Sequence, residues 1–297
     1  MDCTYVEQRG KDLVLGGVRF FDLAQTLDNG QAFRWRACDG GFVGIAHKRL
    51  VEIFGRGGDG YDYVIKNMTV EEFNKIFAEY FGLNQDYKAL RELFFEYGGE
   101  ALRSAMEFSP GLRLMRQDVW EVLVSFILSQ NANIPRIKKM VEVLCECFGE
   151  KIPCGAAVGE RHNEAAQSGV VGYAFPAPQV LAALDISDLA PVRAGYRAAY
   201  ILDAARQVAC GGFDIASLAV APTDEVYSAL LKIHGVGPKV ADCVLLYGFG
   251  RTERYPTDVW IKRAMAKFYP HGFSEEAKPH AGVVQQFLFH YIRNMNL

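Results

Sequence analysis

The chain has 297 residues and a formal net charge of −3; 50% of its residues are hydrophobic and 23% are charged. This balance is typical of a folded protein with one large or two ordinary domains, and it excludes a disordered chain. The slightly negative charge gives no general attraction for nucleic acid, so a DNA-binding function would have to rest on a local surface.

The first ~65 residues predict a small antiparallel sheet. Short runs rich in Val, Ile, Phe and Tyr alternate with Gly and Asp clusters, which is the pattern of strands joined by hairpins. A helix or turn near Asp22–Leu27 is expected to interrupt it. The predicted strands lie in the segments DLVLGGVRFFDL, QAFRWRA, GFVGIA, LVEIFGR and YDYVIKNM.

From Thr69 onward the apolar residues recur with helical spacing. A Thr-x-x-Glu capping box predicts a helix start at Thr69, and Gly149 is the expected C-cap of a helix that begins near Ile134. The segment 151–175 is rich in Gly and Ala and predicts a loop with short turns. Further predicted helices cover RQDVWEVLVSFILSQ, residues 193–210, TDEVYSALLKI, PKVADCVLLYGF, DVWIKRAMAKFY and HAGVVQQFLFHYIRNM. We therefore predict an α+β protein, with a sheet domain and flanking helices over residues 1–105 and a helical domain over residues 106–297.

The chain contains no apolar run of about eighteen residues, so no membrane span is expected. Its first residues are too polar and acidic for a signal or transit peptide, which predicts a location in the cytoplasm or in the nucleoid within it. The cysteine number is odd, and the closest pair, Cys145 and Cys147, does not have the usual zinc spacing. Reduced thiols are therefore expected.

The segment IHGVGPKVADC joins two predicted helices through a glycine-rich turn. Glycines permit positive φ, and Pro238 is favourable at the first position of a helix. Successive backbone N–H groups at a helix N-terminus form a site for a phosphate. An ordinary helical hairpin fits the turn equally well; the alternative is a helix-hairpin-helix whose His234, Gly235 and Gly237 contact the DNA backbone without reading its sequence.

Lys239 falls in the first turn of the second helix, where partial positive charge disfavours a cation. The neutral amine thereby favoured is what a Schiff-base-forming nucleophile requires. A phosphate-pairing lysine is the simpler alternative. Asp258 has two compatible interpretations as well: it is a good N-cap for the helix from Val259, and its second oxygen could face a reaction centre.

GVGPKVADCVLLYGF followed by PTDVW resembles the helix-hairpin-helix DNA glycosylase superfamily. Within that superfamily GVGPKVADC is similar to the 8-oxoguanine DNA glycosylases, which excise oxidised guanine and then cleave the abasic site. NGQAFRW, SFILSQNANIPRI and AGYRAAYI extend the resemblance over nearly the whole chain. It implies that Lys239 and Asp258 are catalytic and that the protein is a monomer.

The resemblance also implies a base-binding set. Gly30 would offer its carbonyl to the hydrogen on N7, which 8-oxoguanine carries and guanine lacks. Cys243 and Phe289 would enclose the flat base, and Gln285 would bind its Watson–Crick edge. The residues alone favour a turn glycine at Gly30, a core residue at Phe289 and a surface residue at Gln285. They fit Cys243 equally well as a small buried hydrophobic residue.

A DNA-facing set is implied too. Asn131 would enter the gap left by the extruded base, Arg136 would contact the opposite cytosine, and Tyr196 with Arg197 would wedge into the strand or contact that cytosine. A polar loop and an ordinary helix start are the plain alternatives. One residue departs from the eukaryotic pattern of the family: Trp260 stands where that pattern has a phosphate-binding histidine, and an indole donates only one hydrogen bond. No cysteine follows Cys243, so the iron–sulfur branches of the superfamily do not fit.

The predicted function is excision of 8-oxoguanine from double-stranded DNA through a lysine Schiff base, followed by β-elimination. Two alternatives remain at this stage. One is a helix-hairpin-helix module that binds DNA without catalysis, and the other is an alkylpurine glycosylase that uses water. No cofactor is expected, although a cation held by backbone carbonyls of the hairpin would leave no signature among the side chains.

Overall fold

A computed structural model describes residues 2–55, 61–153 and 170–295. The N-terminal part forms a six-stranded antiparallel sheet with the strand order β1-β2-β6-β5-β4-β3. The strands are β1 (Tyr5–Arg9), β2 (Asp12–Val18), β3 (Trp35–Cys38), β4 (Gly41–Ala46), β5 (Arg49–Phe54) and β6 (Tyr61–Ile65).

Alternation between buried and partly exposed residues is clearest in β4. In β4, Phe42, Gly44 and Ala46 are buried and their neighbours are partly exposed, as expected for a sheet with one face on a core. The strand β1 was not predicted, because its polar sequence YVEQR shows no alternation and is mostly exposed. It forms an edge strand through backbone pairing with β2, from Tyr5↔Gly16 to Arg9↔Asp12.

The rest of the chain is mainly helical, so the predicted α+β arrangement is confirmed. The α-helices are α1 (Leu23–Leu27), α2 (Val70–Glu72), α3 (Ala78–Tyr80), α4 (Tyr87–Tyr97), α5 (Gly99–Phe108), α6 (Val119–Leu128), α7 (Ile134–Phe148), α8 (Pro178–Ala182), α9 (Arg197–Ala209), α10 (Ile215–Ala219), α11 (Thr223–Leu230), α12 (Pro238–Cys243), α13 (Val259–Phe268) and α14 (Ala281–Met295). Two π-helical segments, Phe73–Phe77 and Val244–Phe249, continue α2 and α12.

Helix caps predicted from the sequence are present. Thr69 accepts a hydrogen bond from Glu72 N at the start of α2. Gly149 is the C-cap of α7, but its backbone is extended, with φ −83°. A Cβ at Gly149 would lie 2.0 Å from the Ala174 carbonyl oxygen, so this position needs glycine for close packing rather than for a left-handed turn.

Two hydrophobic cores organise the described residues. One lies under the N-terminal sheet and contains Trp35 and Tyr63, and the other fills the helical part. The domain boundary predicted between residues 105 and 106 stays a prediction, and it falls inside α5. The buried residues of α4 and α5, such as Phe94 and Leu102, pack in the helical core.

The predicted loop over 151–175 is replaced, where the structure describes it, by an antiparallel pair of strands, β7 (Lys151–Pro153) and β8 (Val170–Tyr173). Residues 154–169 lie outside the described residues, and so does Cys154. Within the described ranges, none of the helices has both the length and the hydrophobicity that crossing a membrane requires.

Candidate active site and DNA-binding surface

The hairpin predicted from IHGVGPKVADC is present. It connects α11 to α12, and α12 begins at Pro238, as expected. Gly235 has φ +83°, and a Cβ there would lie 2.2 Å from the ring of Tyr200. Lys239 is in the first turn of α12 and its side chain is exposed.

A cavity of about 330 Å³ lies beside the start of α12. It is formed by residues from the α1–β3 connection, the α6–α7 turn, α12 and its π-helical extension, the start of α13, and α14. All six residues predicted for catalysis or base binding line this one cavity, namely Gly30, Lys239, Cys243, Asp258, Gln285 and Phe289. Their individual roles stay predictions, but the fold brings together residues that are distant in sequence.

Asp258 is the N-cap of α13, as predicted. Its Oδ1 accepts a hydrogen bond from Ile261 N at 2.8 Å. This bond fixes the side chain at the edge of the cavity, and the residue remains partly exposed there.

The Cys243 thiol is 1% exposed, and burial raises its pKa. Lys239 opposes that increase, while Asp242 and Asp258 add to it. The side chain is therefore a neutral thiol that forms an apolar wall of the cavity rather than a nucleophile. Phe289 is partly exposed and lines the same cavity.

Gly30 is positioned by its neighbour Gln31, a residue that the sequence did not single out. Gly30 has φ +94°, and a Cβ there would lie 2.8 Å from Ile134 Cδ1. Gln31 is 1% exposed and donates from Nε2 to the carbonyls of Thr26 and Arg113, both at 2.8 Å. These buried bonds tie the residue next to Gly30 to α1 and to the segment between α5 and α6.

Gln285 lies on α14 with 3% exposure, and its Oε1 has no hydrogen-bond partner among the described residues. An unpaired buried acceptor is unfavourable unless a ligand supplies the donor. Burial was not expected from the sequence, where a surface position was the alternative to base binding.

The turn between α6 and α7 carries the next predicted residue, Asn131. Its backbone is left-handed, with φ +50°, and its Nδ2 donates to the hydroxyl of Tyr196 at 3.0 Å. Both side chains are exposed, 50% for Tyr196. The adjacent Gln130 donates to the carbonyl of Gly235 at 2.9 Å, which connects this turn to the hairpin.

Arg197 is 4% exposed, and its guanidinium donates to the carbonyls of Gln130 and Ala194. In this arrangement it holds the turn that presents Asn131, and a contact with DNA would require it to leave those carbonyls. The exposed Arg136 lies in the first turn of α7, and His234 packs edge-on against Tyr200 with ring centroids 4.7 Å apart. The hairpin, Asn131, Tyr196 and Arg136 are thus exposed, whereas Arg197 is not.

No group of three or more metal-ligating side chains occurs among the residues that the structure describes. In the hairpin, the Gly235 carbonyl is engaged by Gln130 and the Ile233 carbonyl by Val236 N at 3.0 Å. A cation bound by backbone carbonyls of this hairpin stays a prediction that would have to use other oxygens.

The chain matches two family models in succession. The N-terminal domain of 8-oxoguanine DNA glycosylase matches residues 16–123, and the HhH-GPD superfamily of base excision DNA repair proteins matches residues 124–281. The chain belongs to the HhH-GPD superfamily. The resemblance predicted from the hairpin is confirmed.

Individual relatives agree with the HhH-GPD assignment. The chain is 28% identical to a probable N-glycosylase/DNA lyase of Methanothermobacter thermautotrophicus, and the alignment covers 93% of this chain and 95% of the relative. The solved structure of MBOgg1 in complex with a low-affinity DNA ligand matches with a TM-score of 0.86 and 36% identity, covering 99% of each chain. The 8-oxoguanine glycosylase/lyase of Clostridium acetobutylicum, in complex with dsDNA containing cytosine opposite 8-oxoG, matches with a TM-score of 0.86 and 30% identity over 100% of each chain.

The cavity beside the start of α12 is also lined by residues that were not predicted from the sequence. Phe126 and Tyr247 stack nearly parallel, with an interplanar angle of 13° and centroids 5.4 Å apart, and both line the cavity. The Tyr247 hydroxyl donates to Gln286 Oε1 at 2.7 Å. A further lining residue, Arg293, lies in the last turn of α14. The spacing of apolar residues predicts only that Phe126 and Tyr247 are core residues. Nothing in the sequence indicates that they also line a cavity.

Proposed function

We propose that this protein is a bifunctional DNA glycosylase and abasic-site lyase that excises 8-oxoguanine from double-stranded DNA. The observation that carries the proposal is the presence of Lys239 and Asp258 in one cavity with the predicted base-binding residues. The names of the full-length relatives, which are N-glycosylase/DNA lyases and 8-oxoguanine glycosylases, support the same substrate and reaction. Its action as a monomer and its location in the cytoplasmic nucleoid remain predictions from the sequence.

The reaction requires the damaged nucleotide to leave the duplex, because the glycosidic bond cannot be reached inside the stack. The neutral amine of Lys239 attacks C1′ of the sugar, and the base leaves with the electrons of the glycosidic bond. Asp258 stabilises the positive charge that develops on the sugar, as carboxylates do in glycoside hydrolysis. Since the Lys239 side chain is exposed, we expect the docked DNA to remove water from around its amine.

After the base has left, the nitrogen of Lys239 remains bonded to C1′, and opening of the sugar ring gives a Schiff base. Loss of a proton from C2′ then expels the 3′ phosphate by β-elimination, which cuts the strand. Hydrolysis releases the lysine. The free amine is thus regenerated, and no cofactor is required.

Recognition of the lesion rests on few polar groups. The carbonyl of Gly30, held by the buried Gln31 bonds, would accept the hydrogen on N7 of 8-oxoguanine and repel the lone pair of guanine. The orphaned Oε1 of Gln285 would accept a donor from the Watson–Crick edge. A polar site of this kind rejects a base that leaves its groups unpaired. Cys243 and Phe289 would enclose the base from either face.

The decisive experiment is borohydride trapping on an 8-oxoguanine duplex. The wild type is expected to form a covalent adduct with DNA, whereas Lys239→Gln should bind the duplex and form none. Lys232→Gln, which removes an exposed lysine of the same hairpin, is the matched control and should form the adduct normally. A normal adduct from Lys239→Gln would refute the assignment.

The same assay separates the alternatives. A binding module would release no base, and a glycosylase that uses water would release the base without any trapped adduct. The family match favours neither of these two alternatives over the proposed function. The assay with each of the four bases opposite the lesion would also measure the opposite-base preference, which the cavity does not determine.

A further inference from the structure

The helix α14 presents three residues to the cavity at four-residue intervals, namely Gln285, Phe289 and Arg293. Residues four apart share one helix face and are separated by about 6 Å along the axis. Their exposure rises along the row: Gln285 is 3% exposed, Phe289 is partly exposed and Arg293 is exposed. The row therefore runs from the cavity interior to its mouth.

An extruded nucleotide has the matching order. Its base enters the cavity, and its sugar and phosphate stay at the mouth, where they connect to the duplex. If Gln285 and Phe289 contact the extruded nucleobase, Arg293, the next residue of the row, lies where the DNA backbone must pass. The cation at that end of the row thus faces the most negative part of the nucleotide.

The charged residues of the cavity also indicate that Arg293 is the one available to bind a phosphate. Among the described lining residues, Lys239 and Arg293 are the cationic ones. Lys239 acts as a neutral amine in the proposed reaction, whereas a guanidinium stays charged at any physiological pH and binds phosphate through two parallel N–H groups. Within residues 2–55, 61–153 and 170–295, the structure gives Arg293 no ion pair or hydrogen bond. Its Nη1 lies 3.9 Å from the position that a Cβ on Gly30 would take, so the guanidinium lies beside the turn that contains Gly30.

Trp260 supplies no cation to this cavity. It lines the same cavity, but its indole offers a single donor and no charge. The guanidinium carbon of Arg263 lies over that ring, 5.7 Å from its centroid.

We propose that Arg293 binds a phosphate next to the extruded nucleotide and thereby fixes the sugar for attack by Lys239. The inference rests on the proposed function, since it places a nucleotide in this cavity. Arg293 is a positioning residue in this scheme, because it contacts the DNA backbone and not the reacting atoms.

The test is equilibrium binding to a duplex that carries a non-cleavable tetrahydrofuran abasic analogue. Arg293→Gln should weaken binding roughly tenfold and lower the slope of log K against log salt by about 1. Arg293→Lys should retain much of the affinity. The matched control is Lys11→Gln in the β1–β2 turn, which removes a charge far from the lining residues and should leave the affinity unchanged.

A second set of binding measurements changes the DNA instead of the protein. A neutral methylphosphonate replaces, in turn, the phosphate 5′ or 3′ to the analogue. At the phosphate that Arg293 binds, neutralisation should weaken the wild type roughly tenfold and Arg293→Gln very little further. Additive losses at both phosphates would overturn the proposal. So would a loss seen with 8-oxoguanine but not with the abasic analogue, which would mean a contact with the base.

Arg293 could also serve only the C-terminal end of α14, where a cation is favourable. In that case Arg293→Gln would lower the melting temperature and leave DNA affinity unchanged, which again contradicts the proposal. Failure of the proposed function has a different signature: the wild type would form no trapped adduct. If only the role of Arg293 is wrong, the wild type still forms the trapped adduct. The effects of Arg293→Gln and of the neutral phosphate on DNA affinity are then additive.

Discussion

Asp258 and Ile261 are joined by a hydrogen bond from the Ile261 N–H to Oδ1 of the carboxylate at 2.8 Å. The same aspartate lines the cavity that contains Lys239. One side chain therefore starts the helix α13 and supplies the only carboxylate among the described lining residues. These two duties can be separated by substitution, because capping needs an acceptor and catalysis needs a negative charge.

We predict that Asp258→Asn keeps the fold and loses activity. Asparagine caps helices about as well as aspartate, so the free energy of unfolding should change by less than ~1 kcal/mol. The single-turnover rate of base excision should fall by roughly 10² or more, because the charge that stabilises the developing cation is gone. Urea unfolding and quenched-flow assays measure the two effects.

Asp258→Ala is the companion variant. It removes the cap as well and should lower stability by about 1 kcal/mol beyond any effect of the asparagine. Excision at the wild-type rate by Asp258→Asn would show that the residue is a cap and nothing more.

The two hairpin glycines give a second prediction. Gly235 has φ +83° and no room for a Cβ beside Tyr200, whereas Gly237 is extended with φ −96° and has nothing within 4 Å of an added Cβ. Gly235→Ala should therefore lower the free energy of unfolding by about 1–3 kcal/mol and weaken DNA binding with it. Gly237→Ala should stay within ~1 kcal/mol of the wild type. Equal stability of the two variants, measured by urea unfolding, would contradict the difference in backbone conformation.

Much of the site was predictable because it is encoded locally. The start of α12 at Pro238, the first-turn position of Lys239 and the cap at Asp258 depend on residues within a few positions of each other. The strands β2 to β6 were predictable for the same reason, since each is a short run rich in β-branched and aromatic residues between turn-forming Gly and Asp clusters. The convergence of Gly30 and Phe289 on one cavity came instead from the family resemblance, since spacing alone left both as ordinary turn and core residues.

What the sequence did not predict depends on long-range contacts. The edge strand β1 lacks an apolar pattern and exists because β2 pairs with it. Arg197 was expected on the DNA surface, yet its guanidinium is satisfied by carbonyls of Gln130 and Ala194, and that burial is decided by how α9 packs against the α6–α7 turn. A charged residue type by itself does not reveal such a partner.

Gln31 leads to a third prediction, because it connects Gly30 to the core. It donates to the carbonyls of Thr26 and Arg113, and its Oε1 accepts from Met115 N at 2.9 Å. Gln31→Leu would leave these buried groups unpaired and should cost on the order of 3 kcal/mol of stability. It should also reduce excision of 8-oxoguanine, since the carbonyl of Gly30 would no longer be held in place.

The control for this prediction is Gln207→Leu. Its amide bonds to Asp203 within α9 at 2.8 Å, away from the cavity lining, so stability should change by about 0.5 kcal/mol or less and excision should be normal. A stable Gln31→Leu variant with unchanged excision would show that Gly30 needs no such support.

Glu121 gives a prediction about pH. It lies in the first turn of α6 with a side-chain exposure of 16%, and its carboxylate is 3.8 Å from Arg34 Nη1. Burial raises the pKa of Glu121 from 4.5 to about 7; Arg34 opposes the rise and Asp118 adds to it. The folded state therefore binds a proton at a pH where the unfolded state has already released it.

The sign follows from this difference in proton binding. Stability associated with Glu121 is fully present below pH ~4.5 and is lost as the pH rises through about 7, because the folded chain must then hold a buried charge. The difference between these pKa values corresponds to at most on the order of 3 kcal/mol, and the residual exposure lets solvent reduce it to about 1–3 kcal/mol.

Glu121→Gln mimics the protonated form at every pH. We expect it to be more stable than the wild type by this amount at pH 8, with the advantage shrinking toward pH 5.5, in urea unfolding measured across that range. An advantage that does not change with pH would mean that folding does not raise the pKa of Glu121, and a loss of stability at pH 8 would mean that the ion pair with Arg34 outweighs the burial of the carboxylate.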